Sequence, residues 1–351
     1  MTAAKKKNSR RKQARFRSSR RKRIRNTVLL LLLFVVLGGT GIGAIYVLRN
    51  GTVFDKLEDA YVASREFSGG ITDLDSLRAD GFAKNLCVVV SDVPMDGVSL
   101  GENQKGLLLD LDDRKVLYSK QALQKVYPAS ITKIMTAMLA LKYGNMDDVV
   151  TITQENLNLE EGSQVCGFWA GDQVTMDQLL HCLLVYSAND AASAIAEHIG
   201  GSTDKFVEMM NSFAAELGCT GTHFTNPHGL QDENHYTTPY DIYLMLKEAL
   251  NYPEFTQITQ SGSYTVEYTH ADGSSASTTL LATDHYLTGE ATPPKNVTIL
   301  GGKTGTTDNA GNCLALLSQN AYGKPYISIV MGASTKDELY EQMSSLLHNI
   351  N

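Results

Sequence analysis

From residue 131 to 143 the apolar side chains Ile131, Ile134, Met135, Met138 and Leu141 recur at steps of three and four, which predicts a helix starting at Ser130 with one buried face. The same periodicity, bounded by caps and stop signals, predicts helices over 176–186, over 190–199 closed by Gly200-Gly201, and over 204–217 closed by Gly218. A further helix follows Thr238-Pro239 and covers 240–250. Short runs of strand-forming residues flank this helical centre. Before it they cover 87–90, 107–111 and 116–118, with a turn at Asp112-Asp113; after it they cover 297–307, 313–318 and 326–331, followed by a terminal helix over 336–348. Strands, then helices, then strands is the order of an α+β domain. The first and last strands are expected to share one antiparallel sheet, with the helical cluster packed beside it.

One apolar stretch has no period. Residues 27–48 carry no charge over 22 positions, including leucine at every position from 29 to 33. As a helix they span roughly 33 Å, enough to cross a hydrocarbon core. A cleaved signal peptide and a retained signal anchor both fit such a stretch. Its length favours the anchor, because a signal h-region is usually about 7–15 residues, and no small-residue cleavage site stands out near Gly43 and Ala44.

Charge adds an orientation. Thirteen basic residues lie between Lys5 and Arg25 without one acid, which places the 1–26 tail in the cytoplasm and everything after Arg49 outside. A nucleic-acid arm is the rival reading of such a tail. The span that follows directly argues for the cytoplasmic membrane as partner instead, since anionic lipid attracts each Lys or Arg by about 1 kcal/mol. The expected location is thus the cell membrane, single-pass. Residues 49–85, with Gly51, Gly69 and Gly70 among charged positions, read as an extracytoplasmic stalk reaching on the order of 120 Å if extended. Residues 86–351 then form the main domain. Without the tail the chain has 18 basic against 38 acidic residues.

A chain of 351 residues with 43% apolar content can bury an enzyme-sized core. Cys87, Cys166, Cys182, Cys219 and Cys313 are odd in number and show no CxxC spacing, so they form neither a disulfide framework nor a zinc site. Eight histidines show no HExxH, which argues against a metallopeptidase.

Three segments carry candidate chemistry. In Pro128-Ala129-Ser130-Ile131-Thr132-Lys133 the serine and lysine stand three apart at a helix start, on one face. A serine hydroxyl needs a base to become a nucleophile, and a neutral lysine one turn away can serve. The helix N-terminus also aims backbone N–H groups at an oxyanion forming there. Ser187-Ala188-Asn189 falls in a short loop between two predicted helices, and Lys303-Thr304-Gly305-Thr306-Thr307 lies on a strand after Gly301-Gly302. Each has a plain alternative: a capping serine with a solvated lysine, a turn, and a threonine-rich strand bearing a glycine bulge.

Taken in this order, the three segments resemble the SxxK, SDN and KTG set of serine penicillin-binding proteins and β-lactamases. The wider stretches PASITKIMT, SANDAASAIAEHIGGS, Asn226-Pro227-His228-Gly229-Leu230 and GGKTGTTDNAG resemble the D-alanyl-D-alanine carboxypeptidase family, over about residues 86–351. The resemblance implies a β-lactamase/transpeptidase-like fold with no cofactor. It also implies, as partners, peptidoglycan stem peptides ending in D-Ala-D-Ala and covalently bound β-lactam antibiotics. Ser130 would form the acyl-enzyme, Lys133 would be its base, and Ser187 with Asn189 would relay protons and position the peptide. Lys303 and Thr304 would bind the terminal carboxylate, and the N–H groups of Ser130 and Thr306 would form the oxyanion hole. Lys133 must then be neutral near pH 7, favoured by burial and by a charged Lys303.

Two departures matter. Family members often hold the carboxylate with an arginine on the strand after Lys-Thr-Gly, yet no arginine follows Arg114, leaving Lys303 alone or helped by Lys324. A class A β-lactamase would carry Glu-x-x-x-Asn between Ser187 and Lys303, and none occurs; it would also have Asp where Ala188 stands. A serine β-lactamase and a non-catalytic wall-binding scaffold are the alternative readings. His228 and His235 match family segments and are expected to be structural.

Overall fold

The computed structural model describes residues 85–350. The predicted tail, the 27–48 span and all but the last residue of the stalk lie outside the described residues. Among the described residues no helix is long and apolar enough to cross a membrane.

The central sheet is antiparallel and joins both ends of the domain. Strands β1 (Lys105–Asp110) and β2 (Lys115–Lys120) form a hairpin, and β7 (Val297–Thr307), β8 (Gly311–Asn320) and β9 (Pro325–Ala333) form a meander. The order is β2-β1-β9-β8-β7, with Lys105 opposite Met331 and Asp110 opposite Tyr326. Period-two alternation sorts the side chains: Leu107, Leu109, Ala315, Leu317, Ile327 and Ile329 face the helical cluster. Leu108, Leu314, Leu316 and Val330 face helix α8 (Lys336–Leu347), which buries Leu339, Met343, Leu346 and Leu347 against them. Covered on both faces, the inner strands read as near-continuous apolar runs.

The helical cluster surrounds α1 (Lys133–Tyr143), which every neighbour touches: α2 (Met176–His181), α3 (Asn189–Gly200), α4 (Thr203–Glu216), α5 (Pro239–Ala249) and α6 (Pro253–Thr259). The sequence predicted one buried face for α1. Instead every residue from Lys133 to Ala140 is buried, because five helices enclose it. Threonine and serine caps set the helix starts. Thr175 and Gln178 form a reciprocal capping box on α2, and Ser202, Thr238 and Thr335 cap α4, α5 and α8.

One expected strand is absent and one sheet is new. Residues 87–90 form no strand: the Cys87 N–H donates to the Tyr243 hydroxyl at 2.8 Å and its thiol to the Asp110 carbonyl at 3.4 Å, so side chains hold the segment. A second sheet, β3-β4-β5-β6, was not predicted. It consists of β3 (Val149–Thr151), β4 (Gln173–Thr175), β5 (Ser263–Thr269) and β6 (Ser275–Leu281). Its longer strands bury only Val266 and Leu280, so the apolar alternation is too sparse to read. A short helix α7 (His285–Thr288), capped by Asp284, leads back toward β7.

The Tyr243 hydroxyl anchors the domain entrance from within the core. Tyr243→Phe leaves the Cys87 N–H without its acceptor and should cost about 1–3 kcal/mol in urea unfolding. A change within a few tenths would mean the entrance segment is held by other contacts.

Candidate active site

Ser130 does not cap the helix that follows it. It lies in a 3₁₀ turn, Ala129–Thr132, that runs directly into α1, and neither helix start has a side-chain cap. The serine oxygen is thereby free of backbone duty and faces Lys133, whose Nζ sits 2.8 Å from Ser130 Oγ. The same nitrogen lies 2.6 Å from Asn189 Oδ1 and 2.8 Å from the His228 carbonyl oxygen. Two of these three oxygens can only accept, while the serine hydroxyl can also donate. A neutral amine satisfies all three, giving its two hydrogens to the carbonyls and its lone pair to the Ser130 proton. Burial, then the nearby Lys303 charge, pushes Lys133 well below the ordinary lysine range, with Asp190 opposing.

The second segment is placed by an irregular helix. After α2 the chain continues as a π turn, Cys182–Tyr186, which ends with Ser187 in the left-handed region at φ 68°. Such turns often mark functional sites. Ala188, not Ser187, is the cap position of α3, so the buried Ser187 hydroxyl has no hydrogen-bond partner. The Asn189 N–H donates to the Gln164 carbonyl at 2.8 Å, fixing the turn against the 162–164 loop.

The third segment lies on β7, the sheet edge, where backbone groups on the outer side have no strand partner. A register shift at Ile299/Gly301 marks the expected bulge. Lys303 is buried rather than solvated, donating to the Thr304 carbonyl at 3.1 Å. Burial pushes its ammonium down to about 7, and the carboxylate of Asp284 partly opposes that. At Gly305 a Cβ would stand 2.9 Å from the Pro128 carbonyl and 3.1 Å from the Ile131 nitrogen, so only glycine lets the strand approach the Ser130 turn.

A cavity of about 340 Å³ joins the three segments: Ser130, Ser187, Asn189 and Thr304 to Thr307 line it, with Lys133 and Lys303 buried behind. None of the proposed site residues lies on a separate surface. Lys324 does not reach the cleft: it lies in the turn between β8 and β9, with its ammonium 2.7 Å from both Asp110 and Asp113. The cation that does line the cleft is Lys336, overlooked in the sequence because it begins a helix beyond β9. Also missed was the His228 carbonyl, held in a loop where Asn226 Oδ1 accepts from the His228 and Gly229 N–H groups. The NPHGL string was visible, but a backbone acceptor leaves no side-chain signal.

Lys303 has a stability signature. Its native pKa of about 7 lies below the unfolded value, so below pH 7 both states are charged and folding carries the full cost of burying the ammonium. Between about pH 7 and 10.4 the unfolded chain binds more protons, and stability rises with pH. The stability gained by Lys303→Met over the wild type should therefore be largest near pH 6 and shrink toward pH 10 in urea titrations. A pH-independent difference would contradict the assigned burial.

Residues 101–335 match the family described as D-alanyl-D-alanine carboxypeptidase. D-alanyl-D-alanine carboxypeptidase DacF of Bacillus subtilis is 36% identical over 251 residues, covering 70% of this chain and 61% of that protein. DacC of Escherichia coli is 32% identical over 253 residues, covering 69% and 59%. The chain thus spans about three fifths of the length of these relatives. Among solved structures, a Streptomyces DD-transpeptidase superposes with a TM-score of 0.65 at 26% identity, covering 74% of this chain and 98% of that one. A D-alanyl-D-alanine carboxypeptidase from Mycobacterium tuberculosis gives 0.63 at 28% identity, covering 73% and 92%. With the family matched across two thirds of its length and a penicillin-binding, transpeptidase-like α+β fold around the three segments, this chain belongs to the D-alanyl-D-alanine carboxypeptidase family.

Proposed function

We propose that the protein is a serine D-alanyl-D-alanine carboxypeptidase that removes the terminal D-alanine from peptidoglycan pentapeptides. The observation that carries this reading is the Lys133 amine, buried near the Lys303 charge and 2.8 Å from Ser130 Oγ, where its neutral form can take the serine proton. As Ser130 Oγ attacks the penultimate carbonyl carbon, its proton passes to Lys133, and charge develops on the carbonyl oxygen facing the Ser130 and Thr306 N–H groups. The C–N bond then breaks, and the leaving D-alanine amine takes a proton by way of Ser187. Water hydrolyses the ester, with Lys133 again as base. Asn189 orients the peptide, and Lys303 with Thr304 holds the terminal carboxylate.

β-Lactams would acylate the same serine. No Asp or Glu lines the cleft among the described residues, so no carboxylate stands ready to activate water, which favours persistent adducts over β-lactamase turnover. Residues 27–48 would anchor the enzyme in the cytoplasmic membrane, with the 49–85 stalk holding the catalytic domain outside.

The deciding experiment is mass spectrometry of a pentapeptide ending in D-Ala-D-Ala, incubated with wild type and Ser130→Ala. Loss of one alanine only with wild type is expected; no loss, with no labelled penicillin on Ser130, overturns the reading.

Lys336 takes the place of the missing arginine at the carboxylate. It occupies the first position of α8, where the helix dipole disfavours a cation, and no acid pairs with it among the described residues. Lys336→Ala should raise KM about fivefold with kcat little changed, the size of one partly exposed ion pair. An unchanged KM would leave the carboxylate to Lys303 and Thr304.

A further inference from the structure

Ala129, the residue before the nucleophile, stands at φ 47°, a conformation that costs a residue with a Cβ about 1–2 kcal/mol. Something must hold it there. The peptide unit joining Ala129 to Ser130 is planar and trans, so its carbonyl and its N–H point in opposite directions. That N–H is the Ser130 donor of the proposed oxyanion hole. Whatever fixes the Ala129 oxygen therefore aims the donor.

A chain of three hydrogen bonds ends on that oxygen. The Thr132 hydroxyl donates to the Ala129 carbonyl at 2.8 Å. Its single proton is thereby committed, so at the 2.7 Å contact with His235 Nε2 the threonine oxygen must accept. His235 can donate there because its other nitrogen, Nδ1, accepts from the Thr225 N–H at 3.0 Å, which puts the ring proton on Nε2. The ring is buried, and burial pulls its pKa down to about 4, so it stays neutral in this tautomer around pH 7. Gly229 packs against the same carbonyl: a Cβ there would come within 1.8 Å of the Ala129 oxygen and 2.9 Å of Thr132 Oγ1, so only glycine lets its loop close over this contact.

We propose that His235 is a positioning residue for the oxyanion hole, acting through Thr132 and the Ala129 carbonyl to hold the Ser130 N–H toward the cleft. This rests on the reading of the cleft as a serine acyl-transfer site. His235 does not line the cleft, and its ring hydrogen-bonds Thr132 and Thr225 rather than Ser130, so its effect on chemistry passes through the relay. Packing beside Phe224, at 5.6 Å between rings, is the purely structural role that the test must separate from it.

The test compares wild type, His235→Gln, His235→Leu, Thr132→Val and the double variant His235→Leu/Thr132→Val. Two readouts are taken: the acylation rate with a fluorescent penicillin, and the Kd of a boronic acid whose boron bonds to Ser130 Oγ as a tetrahedral anion. Thermal unfolding runs alongside. His235→Leu and Thr132→Val should each lower acylation and boronate affinity on the order of 10- to 100-fold, somewhat less than removing an oxyanion donor outright. His235→Gln should return both to within about threefold of wild type, because its amide can accept from Thr225 and donate to Thr132. The double variant should be no worse than the poorer single one, as expected of residues in one network. Wild-type rates in folded His235→Leu and Thr132→Val, losses that multiply in the double variant, or no recovery in folded His235→Gln would overturn the relay. If His235→Leu does not fold, Thr132→Val and His235→Gln still decide. A wild type that takes neither penicillin nor boronate defeats the acyl-transfer reading itself, whereas an active wild type with indifferent variants defeats only the relay.

Discussion

The structure depends on one buried amine. Lys133 lies in the core among three oxygens, with no carboxylate in ion-pair contact among the described residues. A charged ammonium there would carry a desolvation penalty of several kcal/mol that two carbonyls and a hydroxyl do not offset. The neutral form is the one this environment accepts, and a neutral lysine beside a serine is a base. Other features follow from keeping it dry. Five helices enclose α1, the π turn swings Asn189 into reach, and the Asn226 loop turns the His228 carbonyl inward.

The second lysine is placed differently, and the difference separates two tasks. Lys303 is as deeply buried as Lys133, yet the Asp284 charge supports its ammonium, and its pKa is pushed only to about 7. Asp284 itself has one oxygen bound by the Tyr286 N–H and the Tyr340 hydroxyl, while its other oxygen is buried without a partner. Its field therefore reaches Lys303 without a direct contact that would neutralise the pair. Two residues of one type, set apart by what surrounds them, suit proton removal in one case and anion binding in the other.

Much of this was legible in the chain, for identifiable reasons. The inner strands of the central sheet are covered on both faces and so show as apolar runs, and capping threonines with terminal glycines mark the helices. The three chemical segments are short strings of specific side chains, and the fold brings them to one cleft. What escaped reading was of another kind. The hairpin β5-β6 is threonine- and serine-rich with one buried residue per strand, too weak a period to register. Residues 87–90 have strand composition but find their partner in a tyrosine far along the chain. The Ala129 dihedral and the His228 carbonyl belong to the backbone, so no side chain announces them. Lys336 was hidden because the motif that would have flagged it uses arginine on a strand, not lysine on a helix.

The pairing of β1 with β9 bears on when the molecule becomes reactive. Ser130 and Lys133 follow closely on β1 and β2, but the strand carrying Lys303 is tied to β1 only through β8 and β9, nearly at the end of the chain. Contacts so distant in sequence form late, after a costly loop closure. A growing polypeptide therefore exposes the serine long before the opposite wall can assemble. The cleft is complete only when β7 has joined the sheet through β8 and β9, so its two walls depend on pairings made across most of the domain.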